Sequence, residues 1–213
     1  MNQKQVVTLF KLLQKSIPNP KSELNFSSPF ELLVAVMLSQ QATDISVNKV
    51  TDKLFKVANT PKKIIELGVD GLRELIKTIG LHNQKAKNIH QSSIIILQKH
   101  EGKIPNTRDS LETLPGVGRK TANIILNTIF HQPTIAVDTH IFRFANRVGL
   151  VSAKTPLATE KTLMQIVPKE FMQDAHHLLL LHGRYVCKAR KPKCDECVLR
   201  DLCEFYHGGG GGN

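Results

Sequence analysis

Apolar residues recur at helical spacing along most of the chain, and the alternating pattern of a half-buried strand is not found. In "MNQKQVVTLFKLLQKS", residues 1–16, the apolar positions follow the helical period. The segment "FELLVAVMLS", residues 30–39, is a longer apolar run with the same interpretation. The pattern predicts an all-α fold of about ten helices with short connections between them.

Capping residues mark several helix starts. Ser28 is a predicted N-cap, Pro29 occupies the first helical position, and Glu31 completes a capping box. The pairs Thr60-Pro61 and Thr155-Pro156 repeat the same kind of start. We also expect helices directly after four further polar residues, which are Asp70, Asn83, Asp138 and Asp174.

The charge of the chain indicates the kind of partner. The sequence has 29 Lys and Arg residues against 18 Asp and Glu residues, giving a net charge of +11. Such a field favours a polyanion such as nucleic acid. The chain has no Trp and only 5% aromatic residues, which argues against a single-strand binder that stacks bases on aromatic side chains. The expected partner is therefore double-stranded DNA.

The sequence also bears on localisation. It has no apolar run approaching the roughly 20 residues that a membrane-spanning helix needs. Lys11 interrupts the first apolar segment, which does not fit the core of a signal peptide. We therefore expect a cytoplasmic, nucleoid-associated monomer.

A glycine-rich corner is the first strong functional signal. In "LETLPGVGRKTANIILNTIF", residues 111–130, one helix is expected to end near Glu112 and the next to begin near Arg119. The glycines between them permit positive φ and a close backbone approach, so their amides can bind a phosphate together with the following helix N-terminus. The predicted DNA contacts are Gly116, Val117, Gly118 and Arg119. The alternative is a tight corner whose glycines serve only packing.

Three segments resemble one known superfamily. "LPGVGRKTA" resembles the helix-hairpin-helix motif of DNA glycosylases, and "TIAVDTHIFR", residues 134–143, resembles the segment that carries their catalytic aspartate. "SSPFELLVAVMLSQQATD", residues 27–44, is similar to the same superfamily. The resemblance covers nearly the whole chain and points to the endonuclease III family of bifunctional glycosylases.

The resemblance implies a two-lobed architecture. A six-helix lobe with the helix-hairpin-helix would span residues 22–132. A four-helix lobe carrying a [4Fe-4S] loop would combine residues 1–21 with residues 133–207. Residues 208–213 are expected to form a disordered tail, because glycines lose much backbone entropy on ordering and bury nothing.

The resemblance also implies the roles of four residues. Lys120 would be the nucleophilic amine and Asp138 the catalytic carboxylate. Gln41 would fill the gap left by the flipped nucleotide, with Leu81 wedging from the other side. The implied reaction removes oxidised or ring-saturated pyrimidines and cuts the strand 3′ to the abasic site by β-elimination.

The residues themselves leave simpler alternatives for the two catalytic positions. Base removal and strand cutting through one intermediate require an amine that attacks the sugar C1′ and becomes a Schiff base, which suits lysine. Without the resemblance, Lys120 could equally be a surface contact to phosphate. Asp138 could be an ordinary helix N-cap, and both roles are compatible for that carboxylate.

A cysteine cluster is the second strong signal. Cys187, Cys194, Cys197 and Cys203 form C-x6-C-x2-C-x5-C in a chain with no other cysteine, which indicates a metal site rather than disulfides. Only one short pair is present, so the spacing alone leaves zinc and an iron-sulfur cluster open. The same pattern resembles the cluster site of the family, which implies one [4Fe-4S] cluster bound by all four cysteines.

A basic loop lies between the first two cysteines. In "KARKPK" the cations Lys188, Arg190, Lys191 and Lys193 would form a fixed patch for backbone phosphates. Alternatively, these cations offset the negative charge of the four thiolates.

The sequence leaves alternative functions open. They are a non-catalytic duplex-binding module with structural zinc, an iron-sulfur electron carrier, and a mismatch or pyrimidine-dimer glycosylase.

Two histidines are not expected to bind a metal. His176 and His177 precede the apolar "LLLL" and are predicted to be core or cap residues rather than ligands.

Overall fold

A computed structural model describes residues 1–210 of the chain, and within that range the predicted all-α class is confirmed. Short 3-10 turns at Lys169–Phe171 and Arg200–Leu202 complement the α-helices. The α-helices of the described residues are α1 (Gln3–Ser16), α2 (Pro29–Ser39), α3 (Asp44–Val57), α4 (Pro61–Ile76), α5 (His82–Lys99), α6 (Arg108–Glu112), α7 (Arg119–Phe130), α8 (Thr139–Val148), α9 (Pro156–Ile166) and α10 (Met172–Tyr185).

Four of the predicted helix starts are confirmed. The side chains of Ser28, Thr60, Asp138 and Thr155 each accept a hydrogen bond from a backbone N–H in the first turn of the following helix. A proline occupies the start of α2, α4 and α9, where its missing N–H costs nothing.

The other three predicted starts are wrong. Asp70 lies inside α4, which is kinked at Gly68 (φ 73°, ψ 168°) and resumes before this aspartate. Asn83 lies inside α5, because Leu81 is the N-cap of that helix. Asp174 lies inside α10, since the 3-10 turn Lys169–Phe171 leads directly into the helix.

One compact unit comprises Ser22–His131 and contains α2 to α7. Its central helix is α2, which packs against α3, α5 and α7. Because neighbours surround it, α2 is buried from Phe30 to Leu38 and needs no polar face. The glycine-rich corner between α6 and α7 lies in this unit.

A second compact unit combines Met1–Lys21 with the chain from Gln132 onwards and contains α1, α8, α9 and α10. α10 packs against both α8 and α1. The apolar face of α1 is buried, and Phe10 stacks on Phe171 with ring centroids 5.4 Å apart. The Met1 amino group donates to the Gly149 carbonyl oxygen at 3.2 Å, so the start of the chain is held in this unit.

The end of the described chain forms a short π-helical turn, Tyr206–Gly210. Of the tail predicted to be disordered, residues 208–210 belong to this turn, and residues 211–213 lie outside the described residues. Among residues 1–210, no helix is both long enough and apolar enough to cross a bilayer.

Candidate functional site

The corner between α6 and α7 forms where the sequence predicts it. Gly116 has φ 81°, in the left-handed region that favours glycine, and a Cβ atom there would lie 2.7 Å from Nδ2 of Asn88. The side chain of Val117 is buried in the core, and its N–H donates to the Leu114 carbonyl oxygen at 3.0 Å. Val117 therefore anchors the corner through both its side chain and its backbone N–H.

Gly118 does not use the positive φ that a glycine permits. It is the N-cap of α7 with φ −98° and ψ −179°, an extended conformation that any residue adopts. A Cβ atom at this position would meet nothing within 4 Å. Gly118 therefore leaves open space in front of the first turn of α7, towards which the backbone N–H groups at the start of the helix point.

Lys120 is exposed on that first turn. It lines a concave surface together with the corner, Gln40 and Thr121. Nε2 of Gln40 donates to the Gly116 carbonyl oxygen at 2.9 Å and lies 3.4 Å from the Thr121 hydroxyl. The structure thus brings the predicted nucleophile and the predicted phosphate-binding corner onto one surface.

Gln41 and Leu81 share an unusual backbone conformation. Their φ values are 56° and 60°, and both side chains are exposed, Leu81 at 61%. Gln40 (φ −60°, ψ 115°) and Gln41 are the central residues of a turn closed by the Ala42 N–H donating to the Ser39 carbonyl oxygen at 3.1 Å. This is a type II turn, whose third position normally favours glycine.

Lys85 is a residue of this region that sequence reasoning missed. Its side chain is buried, and Nζ donates to the carbonyl oxygens of Leu38 at 2.9 Å and Gln40 at 2.6 Å. Burial lowers the pKa of Lys85 from its usual value. A signal was available, because Lys85 falls on the same helical face as Ile89 and Ile96, which are core residues of α5.

Asp138 is the N-cap of α8, as the sequence predicts. Its Oδ1 accepts hydrogen bonds from the N–H groups of His140 and Ile141, both at 2.9 Å. One oxygen is thus fixed by the helix, and the cap does not use Oδ2. The side chain is only half-buried.

The four cysteines line one largely apolar cavity whose walls include Phe144, Val148 and Leu199. All four thiols are free. Burial raises the pKa of the Cys187 and Cys197 thiols, whereas coordination to a metal deprotonates a thiol outright.

The arrangement of these thiols bears on the choice between the two predicted metal centres. Within the described residues, no three His, Cys, Asp or Glu side chains converge closely enough to hold a single ion. Zinc takes four thiolates at about 2.3 Å each, which requires them to be tightly gathered. A cluster of several irons takes its thiolates around a larger body, so the cavity suits an iron-sulfur cluster.

Two arginines of α8 hold the loop that follows Cys187. Nε of Arg143 donates to the Cys187 carbonyl oxygen at 2.9 Å. Nη1 of Arg147 donates to the Lys188 carbonyl oxygen at 2.7 Å and lies 3.9 Å from the Cys187 sulfur. The helix that Asp138 caps therefore also fixes the cysteine loop.

The basic loop is closed by two bonds to one acceptor. The backbone N–H groups of Lys188 and Lys193 donate to the Val186 carbonyl oxygen at 2.9 and 3.0 Å. Arg190 and Lys191 are exposed, while Lys188 is half-buried. Lys193 is exposed too, with Nζ 3.6 Å from a carboxylate oxygen of Glu196. The exposed cations are thus displayed on a fixed backbone.

Three histidines of α10 are buried. His176 and His177 are 3% and 6% exposed, and the prediction that they are core residues is confirmed. His182 was missed by sequence reasoning, although its ring lies 3.4 Å from the Cys197 sulfur. Burial lowers the pKa of His182 to about 4, so a neutral imidazole lies beside this thiol.

Comparison with known families gives two matches. Residues 34–169 match the HhH-GPD superfamily, described as base excision DNA repair proteins. Residues 187–203, which span all four cysteines, match the iron-sulfur binding domain of endonuclease III.

Individual proteins and structures agree with these matches. Endonuclease III of Escherichia coli (strain K12) is 56% identical over 96% of this chain and 97% of its own length. Endonuclease III of Haemophilus influenzae is 54% identical with the same coverage. A trapped endonuclease III–DNA covalent intermediate superposes with a TM-score of 0.92 at 41% identity, covering 99% of both chains.

Proposed function

This chain belongs to the endonuclease III family within the HhH-GPD superfamily, and we propose that Lys120 and Asp138 carry its chemistry. The activity is that of a base-excision repair DNA glycosylase with AP lyase activity, acting on double-stranded DNA as a monomer. The substrates are oxidised or ring-saturated pyrimidines and abasic sites. The observation that carries the assignment is the position of Lys120 on the concave surface beside the glycine corner.

The Nζ atom of Lys120 attacks C1′ of the damaged nucleotide. A bond between nitrogen and C1′ forms while the bond to the base breaks, and the base leaves with the electron pair and takes up a proton. Opening of the sugar gives a protonated imine, and loss of a proton from C2′ then expels the 3′ phosphate. Hydrolysis of the imine by water returns the amine.

Asp138 supplies the carboxylate of this reaction. Oδ1 is held by two backbone N–H groups, so the carboxylate has a fixed direction and Oδ2 can receive or return a proton. Its negative charge stabilises the positive charge that develops at C1′. Because the cap uses only Oδ1, the same residue can be both a helix N-cap and a catalytic group.

Gln41 and Leu81 occupy the gap that the extruded nucleotide leaves. Extrusion is required because C1′ of a stacked nucleotide is not accessible inside a duplex. Left-handed backbone at a non-glycine residue and a large exposed apolar side chain are both unfavourable for the free protein. Because both features are unfavourable in the free protein, their presence at Gln41 and Leu81 supports a function in DNA binding.

Phosphates are held by two surfaces. One is the corner Gly116–Gly118 with Arg119, where backbone N–H groups and the α7 N-terminus favour an anion. The other is the basic loop, whose proposed contacts are Lys188, Arg190, Lys191 and Lys193. Both surfaces bind the DNA backbone and not the bases, as a damage-searching enzyme requires.

The chain binds one [4Fe-4S] cluster, and we assign Cys187, Cys194, Cys197 and Cys203 as its ligands. These four thiolates would hold the cluster, and when bound it would supply one-electron redox chemistry. Arg147 donates to the loop carbonyls and places its charge beside the Cys187 sulfur, which suits an anionic thiolate.

Borohydride trapping on a duplex with one thymine glycol tests Lys120. We expect a reduced covalent adduct with the wild type and none with Lys120→Gln. Lys103→Gln, which removes an exposed lysine of the same unit, is the matched control and should form the adduct. Base release without any adduct would contradict the Schiff base, and binding without release or adduct would favour the non-catalytic module.

We also propose that the protein acts in the cytoplasm in association with the nucleoid. The net charge of +11 supports a lasting interaction with chromosomal DNA. Cell fractionation at low salt should recover the protein with the nucleoid, and recovery in the membrane fraction would contradict the proposal.

A further inference from the structure

Gln41 and Leu81 are strained residues that belong to different loops of one compact unit. Gln41 follows α2 and Leu81 precedes α5, and each has φ in the left-handed region. Such a conformation persists at a non-glycine residue only where the surroundings hold it. The contacts that hold these two loops are therefore of functional interest.

Lys85 contacts both loops. Its buried ammonium donates to the Leu38 and Gln40 carbonyl oxygens, at 2.9 and 2.6 Å. Its backbone N–H donates to the Leu81 carbonyl oxygen at 3.0 Å. The backbone bond is the ordinary first hydrogen bond of α5, which any residue at this position makes, so the specific contribution of the Lys85 side chain is to tie the main chain just before Gln41 to the start of α5, where Leu81 lies.

The chemistry of these hydrogen bonds favours a strong attachment between Lys85 and the end of α2. The last carbonyl groups of a helix have no partner within it and carry partial negative charge, so the end of α2 attracts an ammonium. A hydrogen bond from a charged donor is stronger than a neutral one, particularly away from water. The Lys85 side chain is 6% exposed, so water does not compete strongly for these acceptors.

We propose that Lys85 is a positioning residue whose side chain fixes the Gln41 turn to the start of α5, beside Leu81, in the arrangement needed to fill the gap in the duplex. The inference rests on the proposed function of Gln41 and Leu81. Lys85 does not touch the reacting atoms, and it acts through these two residues. An ordinary helix cap would contribute stability alone and would affect all substrates equally.

Single-turnover base release from two DNA duplexes tests the proposal. In the first, the damaged pyrimidine has a partner base, so extrusion leaves a gap to fill. In the second, it lies in a one-nucleotide bulge with no base opposite. For Lys85→Met we expect release at least ten-fold slower from the paired duplex and less than three-fold slower from the bulge.

Two variants define the specificity of the effect. Lys85→Arg keeps a charged donor and should restore most of the rate on the paired duplex. Lys87→Met removes an exposed lysine of α5 with the same change of charge, and should release the base at the wild-type rate from both duplexes. Equal slowing on both duplexes by Lys85→Met would overturn the proposal.

A double-mutant cycle shows whether Lys85 acts through Gln41. On the paired duplex, Lys85→Met combined with Gln41→Ala should be no slower than the slower single variant. Independent, multiplicative losses would overturn the proposal. Trapping of the same variants on the bulged duplex reports separately on the Lys120 chemistry, so a failure of the proposed function is distinguishable.

The stability of the variants provides a second test. Gln41→Gly removes the strain of the type II turn, so Lys85→Met should lower the unfolding midpoint less in that background than in the wild type. If Lys85→Met alone does not fold, folding of the double variant would support the proposal. Failure of both variants to fold would overturn it.

Discussion

The side chain of Asn88 occupies the space beside Gly116 that any other residue would need. A Cβ atom on Gly116 would lie 2.7 Å from Nδ2 and 3.1 Å from Cβ of Asn88, so the whole side chain would have to move. With φ 81° the backbone is also strained for alanine. We expect Gly116→Ala to lower the free energy of unfolding by about 1–3 kcal/mol, measured by urea denaturation.

Gly118→Ala is the matched comparison two residues along. Its φ of −98° is open to alanine and nothing lies within 4 Å of the added Cβ, so the stability loss should stay below about 1 kcal/mol. The methyl group would instead fill the space before the α7 N-terminus and weaken binding to undamaged duplex. Unchanged DNA affinity for this variant would favour the interpretation in which the glycines serve only packing.

Asp138→Asn separates the cap from the catalytic group. Asparagine is as good an N-cap as aspartate, so both backbone N–H groups keep their acceptor and the stability loss should stay below about 1 kcal/mol. The charge is lost, and we expect single-turnover base release to slow at least 100-fold. Asp138→Ala should add a stability loss of about 0.5–2 kcal/mol. If Asp138→Asn released the base at the wild-type rate, the only remaining role of Asp138 would be that of a helix N-cap.

The parts of the fold that follow from local rules were predictable. Ser28, Thr60 and Thr155 each combine a capping side chain with a following proline, and each begins a helix. The kink at Gly68 was not predicted, because a glycine inside a helical pattern is compatible with a straight helix. After the kink the helix resumes before Asp70, so this aspartate lies in the first turn and is not an N-cap.

The candidate site likewise has parts that local sequence rules predict and parts that they do not. Lys120 and Asp138 each lie in a short motif, and the residues next to each of them in the sequence are also next to it in the structure. The bond from Lys85 to Leu38 joins residues 47 positions apart, so no local pattern contains it. The left-handed conformations of Gln41 and Leu81 depend on such contacts, and the residue types alone favour other conformations.

The basic loop gives a prediction for salt dependence. Arg190 and Lys191 are exposed on a loop whose backbone is fixed, so each can contact a phosphate. The double variant Arg190→Gln/Lys191→Gln should reduce the slope of log K against log salt by about 0.9 for each lost contact. Fluorescence anisotropy with undamaged duplex at several salt concentrations measures this slope.

The control for that slope removes the same charge elsewhere. Lys11 and Lys15 are exposed on α1, and Lys11→Gln/Lys15→Gln should leave the slope unchanged. If the loop cations only offset the thiolate charge, the loop variant would instead keep its slope and lose the visible absorbance of the cluster more readily under oxidation.

His177 gives the protein a pH-dependent stability. Burial lowers the pKa of His177 below its usual value of 6.5, and the Asp174 carboxylate opposes that shift only in part. The folded state therefore disfavours the charged imidazole, while the unfolded chain binds the proton normally. Its contribution is fully present above pH 6.5 and is lost as the pH falls below that value.

Urea midpoints of the anaerobic protein between pH 5 and pH 8 measure this contribution. The wild type should lose more stability on acidification than His177→Gln, and the slopes of stability against pH should differ by up to about one proton, because one imidazole takes up at most one proton on unfolding. His90→Gln removes a partly exposed histidine of α5 and is the control. If the wild-type and His177→Gln curves run parallel, the imidazole is already charged or already solvated in the fold, and the pH dependence must come from other groups.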